Sequence, residues 1–209
     1  MVAAANPHAA EAGRHILRLG GNAVDTAITM QMVLNLVEPQ SSGIGGGGFL
    51  LYYDSASDEL SPYDGRETAP AGATGDIFLN FFGNPQAFFE AVVGGKSVGV
   101  PGLLRMLELA HQHHGKLPWK SLFSPAIKLA ERGFAISPRL HGLVTHDKYL
   151  RTSASAKGYF YTPEGDPLAV GEKLVNRPLA RTFSAIAQNG TGVFYEGWVA
   201  QDIVAAIRE

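Results

Sequence analysis

Two stretches of this 209-residue sequence place reactive residue types at spacings that chemistry could use. One is Asp64-Gly65-Arg66-Glu67-Thr68-Ala69-Pro70. An arginine where a strand hands over to a loop can present a planar fork to a carboxylate, held by the neighbouring acids. The same residues could instead form an ordinary edge ion pair between Arg66 and Asp64 or Glu67. The other stretch is Gly43-Ile44-Gly45-Gly46-Gly47-Gly48, which formally satisfies GxGxxG. A dinucleotide site needs a strand before that motif and a helix after it. Here a helical pattern precedes and a strand pattern follows, so the Rossmann reading fails. What remains is a loop needing positive φ or close backbone approach, serving either as a packing turn or as a set of N–H groups lining a site.

Other candidates carry less. Gly94-Gly95-Lys96-Ser97 resembles a phosphate loop, but the earlier glycine of that motif would fall at position 90, which is Glu. His111, His113 and His114 cluster near a helix C-terminus, where the dipole favours cations. They lack the i, i+4 spacing of a helical zinc site, and a solvated helix end is the simpler reading. Asn189-Gly190-Thr191 is a formal glycosylation sequon, uninformative without a compartment.

The elements that must position these residues are readable. Asn6 is a good N-cap and Pro7 suits the first helical position. Ala9, Ala12, Ile16, Leu17 and Leu19 form an apolar stripe that Gly20-Gly21 ends. Asn22 can cap a second helix through Val24, Ala27, Ile28, Met32, Val33 and Leu34. After the glycines, Phe49 to Tyr53 reads as a buried strand, Asp54 to Asp58 as a turn, and Leu60 to Tyr63 as a returning strand with Pro62 at an edge. Ser97 to Val100 suggests another strand, and Pro101 opens a helix through His114, stopped by Gly115. A helix over Trp119 to Arg132 tolerates Pro125 only with a kink or break. Ser137-Pro138 starts a further helix. A Gly/Pro-rich loop covers Gly158 to Gly171, with helices near Leu179 to Ala187 and Val199 to Arg208. No repeat or low-complexity linker interrupts the chain, so residues 1–209 are expected to form a single domain.

Composition excludes several classes. The sequence is 45% hydrophobic and 17% charged, enough to bury a core. Its 25 glycines exceed the usual share of about 7% but show no three-residue period, so collagen is out. Net charge is −2 with no basic stripe, which argues against nucleic-acid binding. Zero cysteines exclude disulfides, thiolate metal sites and a Cys nucleophile. The first residues lack a signal-peptide pattern. The most apolar stretch, Ala23 to Val37, is too short and too interrupted by Asp25, Thr26, Gln31 and Asn35 to span a membrane.

Read together, these segments resemble the gamma-glutamyltransferase family of N-terminal-nucleophile hydrolases. The resemblance runs in order through Asn6-Pro7-His8-Ala9-Ala10-Glu11-Ala12-Gly13, Gly20-Gly21-Asn22-Ala23-Val24-Asp25 and Val37-Glu38-Pro39-Gln40-Ser41-Ser42-Gly43. It continues through Asp64 to Pro70, Ser97-Val98-Gly99-Val100-Pro101-Gly102, Pro125-Ala126-Ile127, Gly133-Phe134 and Phe194-Tyr195-Glu196-Gly197. Each segment is weak alone; the ordered set is specific.

The resemblance implies an α+β, four-layer αββα sandwich, of which this chain would be the N-terminal portion of the large subunit. It implies a precursor that cuts itself in two, exposing an N-terminal Thr on a small subunit. That Thr attacks gamma-glutamyl amides such as glutathione and passes the acyl group to water or to an amino-acid or peptide acceptor. No metal or organic cofactor is implied. Carried over by motif, Arg66 would bind the donor's α-carboxylate, with Asp64 and Glu67 orienting its fork and the glycine run letting its strand pack closely. Nothing here resembles the Thr-centred processing site, and position 1 is Met, so the chain alone is expected to be inactive and to need the small subunit. The family suggests a periplasmic or secreted location. Two alternatives stand beside this: a related cephalosporin or glutaryl acylase, and a non-catalytic chain that only binds a partner.

Overall fold

The computed structural model describes residues 1–208. Helices α1 (Pro7–Arg18) and α2 (Ala23–Val37) are followed by strands β1 (Gly48–Asp54) and β2 (Glu59–Gly65). Short α3 (Phe88–Val92) precedes α4 (Leu103–His114), α5 (Trp119–Leu122), α6 (Ser124–Arg132), β3 (Phe134–Ala135) and α7 (Pro138–His146). The chain then runs through α8 (Ala154–Phe160), β4 (Lys173–Leu174), α9 (Arg177–Asn189), α10 (Gly192–Tyr195) and α11 (Trp198–Arg208). Its described residues divide into two compact units, each discontinuous in sequence: residues 1–43 with 110–188, and residues 44–109 with 189–208. No described helix is long and apolar enough to cross a membrane.

The first unit is helical and holds most of the apolar core. Asn6 caps α1 by accepting the His8 N–H, with Pro7 in the first turn as the sequence dictates. Asn22 and Asp25 form a reciprocal capping box on α2. That helix is buried on most sides, contributing Val24, Ile28, Met32, Val33, Leu36 and Val37 to a core against α1, α5 and α6. Trp119, Phe123 and Phe183 extend it as edge-to-face ring pairs at 4.9 and 6.1 Å. Phe123 is also where the Trp119–Arg132 helix breaks. Pro125 then sits in the first turn of α6, where its missing N–H costs no hydrogen bond.

Asp25 organises this unit beyond its helix cap. Its side chain has no exposure, and its Oδ2 accepts the Leu117 N–H at 3.1 Å and the Asn22 N–H at 3.1 Å. The Lys116 N–H donates to both oxygens at 3.1 and 3.2 Å. Asn22 Nδ2 donates to the His114 carbonyl, so the cap of α2 and the end of α4 are tied side chain to backbone.

The second unit is smaller and carries the hairpin. β1 and β2 pair antiparallel, with Gly48 opposite Gly65, Phe49 opposite Asp64 and Asp54 opposite Glu59. The Phe49–Tyr53 run forms the expected strand but is not buried. Phe49 is 70% and Leu51 69% exposed, and Tyr53, Leu60 and Pro62 share their outward face. The reason is geometric: a two-stranded sheet has two faces, and in this unit only the Leu50 and Tyr63 side meets a core. Ser97–Val100 also departs from expectation. Gly95–Ser97 is a single 3-10 turn, and Val100 makes one isolated bridge to Thr68, beside Pro101, which has no N–H to continue a ladder. In the first unit, helix α8 runs into the segment read as a Gly/Pro loop and ends at Phe160, and a bridge from Tyr161 to Pro167 closes the remainder.

Candidate functional site

The site candidate lies where β2 ends. Arg66 follows Gly65 directly, and its backbone N–H donates to Asp64 Oδ1 at 2.8 Å, an Asx-type turn that takes the chain out of the strand. Two residues on, Thr68 is bonded to Val100 in both directions: its N–H donates at 3.3 Å and its carbonyl accepts at 2.8 Å. Arg66 and Glu67 are thus held between a strand end and a bridge. That is a rigid mount for a long side chain.

The arginine itself reaches outward. Its side chain is 69% exposed, and NH1 donates to Glu67 Oε2 at 2.9 Å. This is its one ion pair among the described residues, and it leaves the rest of the fork available to an incoming acceptor. Glu67 is less exposed, at 28%. Asp64 and Glu67 therefore meet Arg66 differently: Glu67 holds the guanidinium, and Asp64 fixes the backbone beneath it. A cationic fork held on one side by Glu67, on a turn fixed by Asp64, can bind one carboxylate with geometry chosen by the protein.

The glycines nearby act by lacking side chains. A Cβ on Gly47 would stand 2.5 Å from Glu67 Oε2, 2.6 Å from the Gly65 carbonyl oxygen and 2.8 Å from the Glu67 nitrogen. A Cβ on Gly102 would stand 2.4 Å from the Gly65 carbonyl oxygen and 2.9 Å from that of Arg66. Within the glycine run no residue has positive φ, so close approach is what the run provides, and it does so at Gly47, while Gly43 and Gly45 face open space. The Gly46 carbonyl accepts the N–H groups of Gly102 and Leu103, both at 3.2 Å, at the start of α4. The sequence motif Ser97–Gly102 gave no sign that Gly99 and Gly102 pack on residues 65–68. A pair of glycines next to a proline was the only available cue.

A second polar cluster supports the same unit. Glu108 accepts the Thr191 N–H at 3.1 Å, the Thr191 hydroxyl at 2.5 Å and an Arg105 N–H at 3.1 Å. Burial pushes its carboxyl up, but these donors outweigh burial and hold it below the usual carboxylate range. Arg105 also lies over the Tyr195 ring at 4.7 Å, and the Tyr195 hydroxyl donates to the Pro101 carbonyl at 2.9 Å. The sequon residue Thr191 is fully buried and serves this cluster. Among the described residues no three His, Asp or Glu side chains are placed to hold a metal ion.

Comparison with known proteins places these features in a family. The family described as Gamma-glutamyltranspeptidase matches residues 9–209. A glutathione hydrolase proenzyme of Bacillus subtilis (strain 168) is 43% identical over the whole chain, which covers 35% of that relative. The structure of Helicobacter pylori gamma-glutamyltranspeptidase superposes with a TM-score of 0.92 at 34% identity, over 96% of this chain and 57% of that one. A cephalosporin acylase from Bacillus halodurans superposes with a TM-score of 0.73 at 29% identity, over 96% of this chain and 38% of that one. The chain thus spans about a third of the length of the curated relatives it matches. It carries part of the N-terminal-nucleophile hydrolase fold expected from sequence. With a match over nearly every residue and a superposition this close, the chain belongs to the gamma-glutamyltranspeptidase family.

Proposed function

We propose that this chain is part of an enzyme that cleaves gamma-glutamyl amides such as glutathione, and that Arg66 binds the donor's α-carboxylate. The observation that carries the reading is the exposed Arg66 fork, set on a fixed strand end and steadied on one side by Glu67. Asp64 and Glu67 are the groups that orient it. The nucleophile comes from a small subunit cut from the same precursor. Its N-terminal Thr hydroxyl adds to the amide carbonyl, and the α-amine takes the proton and returns it to the departing amine. The resulting ester passes the gamma-glutamyl group to water or to an acceptor amine. This chain supplies scaffold and donor binding, and without the small subunit it does not turn over. Relatives described as proenzymes, each about three times longer than this chain, support that division.

A glutaryl or cephalosporin acylase is the second reading, favoured by the likeness to the Bacillus halodurans structure. There Arg66 would hold a different carboxylate. The test is Arg66→Ala in the complete enzyme, assayed on a gamma-glutamyl anilide and on its glutaryl counterpart. Loss of one charge-assisted pair should lower kcat/KM for the gamma-glutamyl donor by an amount equivalent to about 2–4 kcal/mol of transition-state binding. An unchanged value returns Arg66 to a structural role. Preferred turnover of the glutaryl compound by the unmutated enzyme selects the acylase reading.

A further inference from the structure

The geometry points to Gly47 as a positioning residue for the carboxylate-binding arginine: we propose that its missing side chain makes the space in which Glu67 seats the Arg66 fork. This rests on the reading of Arg66 given above and extends it to the residue that sets the fork's aim. Gly47 does not use the freedom peculiar to glycine, since its φ is not positive. What it uses is volume. A methyl group there would press on Glu67 Oε2 at 2.5 Å, and on the Gly65 oxygen and Glu67 nitrogen at 2.6 and 2.8 Å.

Those three atoms have different freedom. The carboxylate can swing away, but it would then leave the Arg66 NH1 that it holds at 2.9 Å. The two backbone atoms cannot move alone. Gly65 is pressed by Gly102, whose own Cβ position lies 2.4 Å from the Gly65 oxygen, and a Cβ on Gly65 would stand 2.6 Å from Met106 Cβ. Downstream, Thr68 is bonded to Val100 in both directions. A side chain at position 47 must therefore displace Glu67, Arg66 or both. Gly43, Gly45 and Gly48 do not share this property: the first two meet nothing within 4 Å, and Gly48 meets the ends of Leu103 and Met106.

The consequence should fall on recognition of the donor's carboxylate, because the three atoms nearest a Cβ at position 47 all belong to the segment that carries the fork. The experiment compares two donors in the processed two-subunit enzyme: a gamma-glutamyl anilide and the 4-aminobutyryl anilide, which is the same donor without its α-carboxylate. The readout is the ratio of their kcat/KM values, with KM and kcat resolved for the first. Gly47→Ala should lower that ratio about tenfold or more, chiefly through KM, since misplacing a positioning group by about 1 Å can cost up to 100-fold. Gly45→Ala should leave the ratio unchanged. Added to Arg66→Ala, the Gly47 change should lower the ratio no further, because the fork it aims is gone. If Arg66→Ala removes the preference for the carboxylate while Gly47→Ala keeps it, the role of Gly47 is overturned and that of Arg66 stands. If Arg66→Ala keeps the preference, the reading of Arg66 fails, and the role of Gly47 with it. Should Gly47→Ala not mature, Glu67→Ala decides: loss of the preference supports the seat, and retention overturns it.

Discussion

Replacing Asp25 gives the sharpest test of how the first unit is held together. Its carboxylate is fully buried and accepts three backbone N–H groups, from Asn22, Lys116 and Leu117. Asp25→Ala leaves all three donors without their acceptor. Bonds to a charged acceptor are worth about 1.5–3 kcal/mol each, and the low end suits Lys116 and Leu117, which are only part-buried and can be rescued by water. The Asn22 bond closes a capping box worth about 1 kcal/mol. Against this, alanine no longer carries a charge into the interior, which offsets part of the loss. The net is a destabilisation of about 3 kcal/mol. For a chain of this size that corresponds to a fall in Tm of roughly 6–12 °C. The assay is thermal unfolding by circular dichroism, together with hydrogen exchange at the Lys116 and Leu117 amides, which should lose protection. Asp25→Asn keeps the shape and one amide oxygen, which in the place of Oδ2 can still accept from Asn22, Lys116 and Leu117, so it should recover much of what Asp25→Ala loses. An Asp25→Ala variant melting within about 2 °C of the parent, with those amides still protected, would refute the account, since three N–H groups left without their acceptor must cost several kcal/mol.

The other outcomes follow from the second unit. Glu108 is held below the usual carboxylate range, so its contribution is present above the unfolded carboxylate value and is lost as pH falls through its lower folded value. The parent and Glu108→Gln should therefore differ in stability at pH 7 and converge below about pH 4; curves that stay parallel to low pH would contradict this. The isolated chain should release no glutamate from a gamma-glutamyl anilide. It should also self-associate through the outward face of Phe49, Leu51 and Leu60, and Phe49→Ser with Leu51→Ser should reduce the apparent mass in light scattering.

What was legible in the sequence was what a few adjacent residues decide. Asn6-Pro7 and Asn22 with Asp25 fix helix starts because a cap needs a side chain within three residues of the N–H it satisfies. Pro125 forces a break because its ring obstructs the previous turn, and the break appears two residues upstream, at Phe123. The β1–β2 hairpin was equally plain. Its exposure was not, because an apolar run gives the strand but not what covers each face. The site was half legible. Arg66 stood out by chemistry, whereas its support by Gly102 and the pairing of Glu108 with Thr191 join segments far apart in sequence. The sequon reading of Thr191 could not foresee a buried hydroxyl that donates to the Glu108 carboxylate and accepts from Arg105.

The hairpin also shows why the glycines beside it matter. A two-stranded sheet is marginal by itself. Side-chain packing from Leu103, Met106 and Tyr63 secures only the inner face. An arginine at the end of such a hairpin would swing with it if packing were all that held it. Position is instead fixed through the backbone: Gly46 accepts from Gly102 and Leu103, Thr68 pairs with Val100, and Gly47 and Gly102 close on the Gly65 carbonyl. Backbone contacts at this range require the absence of Cβ atoms. The glycines that first suggest a nucleotide loop are therefore better understood, at Gly47 and Gly102, as the means by which the end of a hairpin presents a guanidinium at a fixed place.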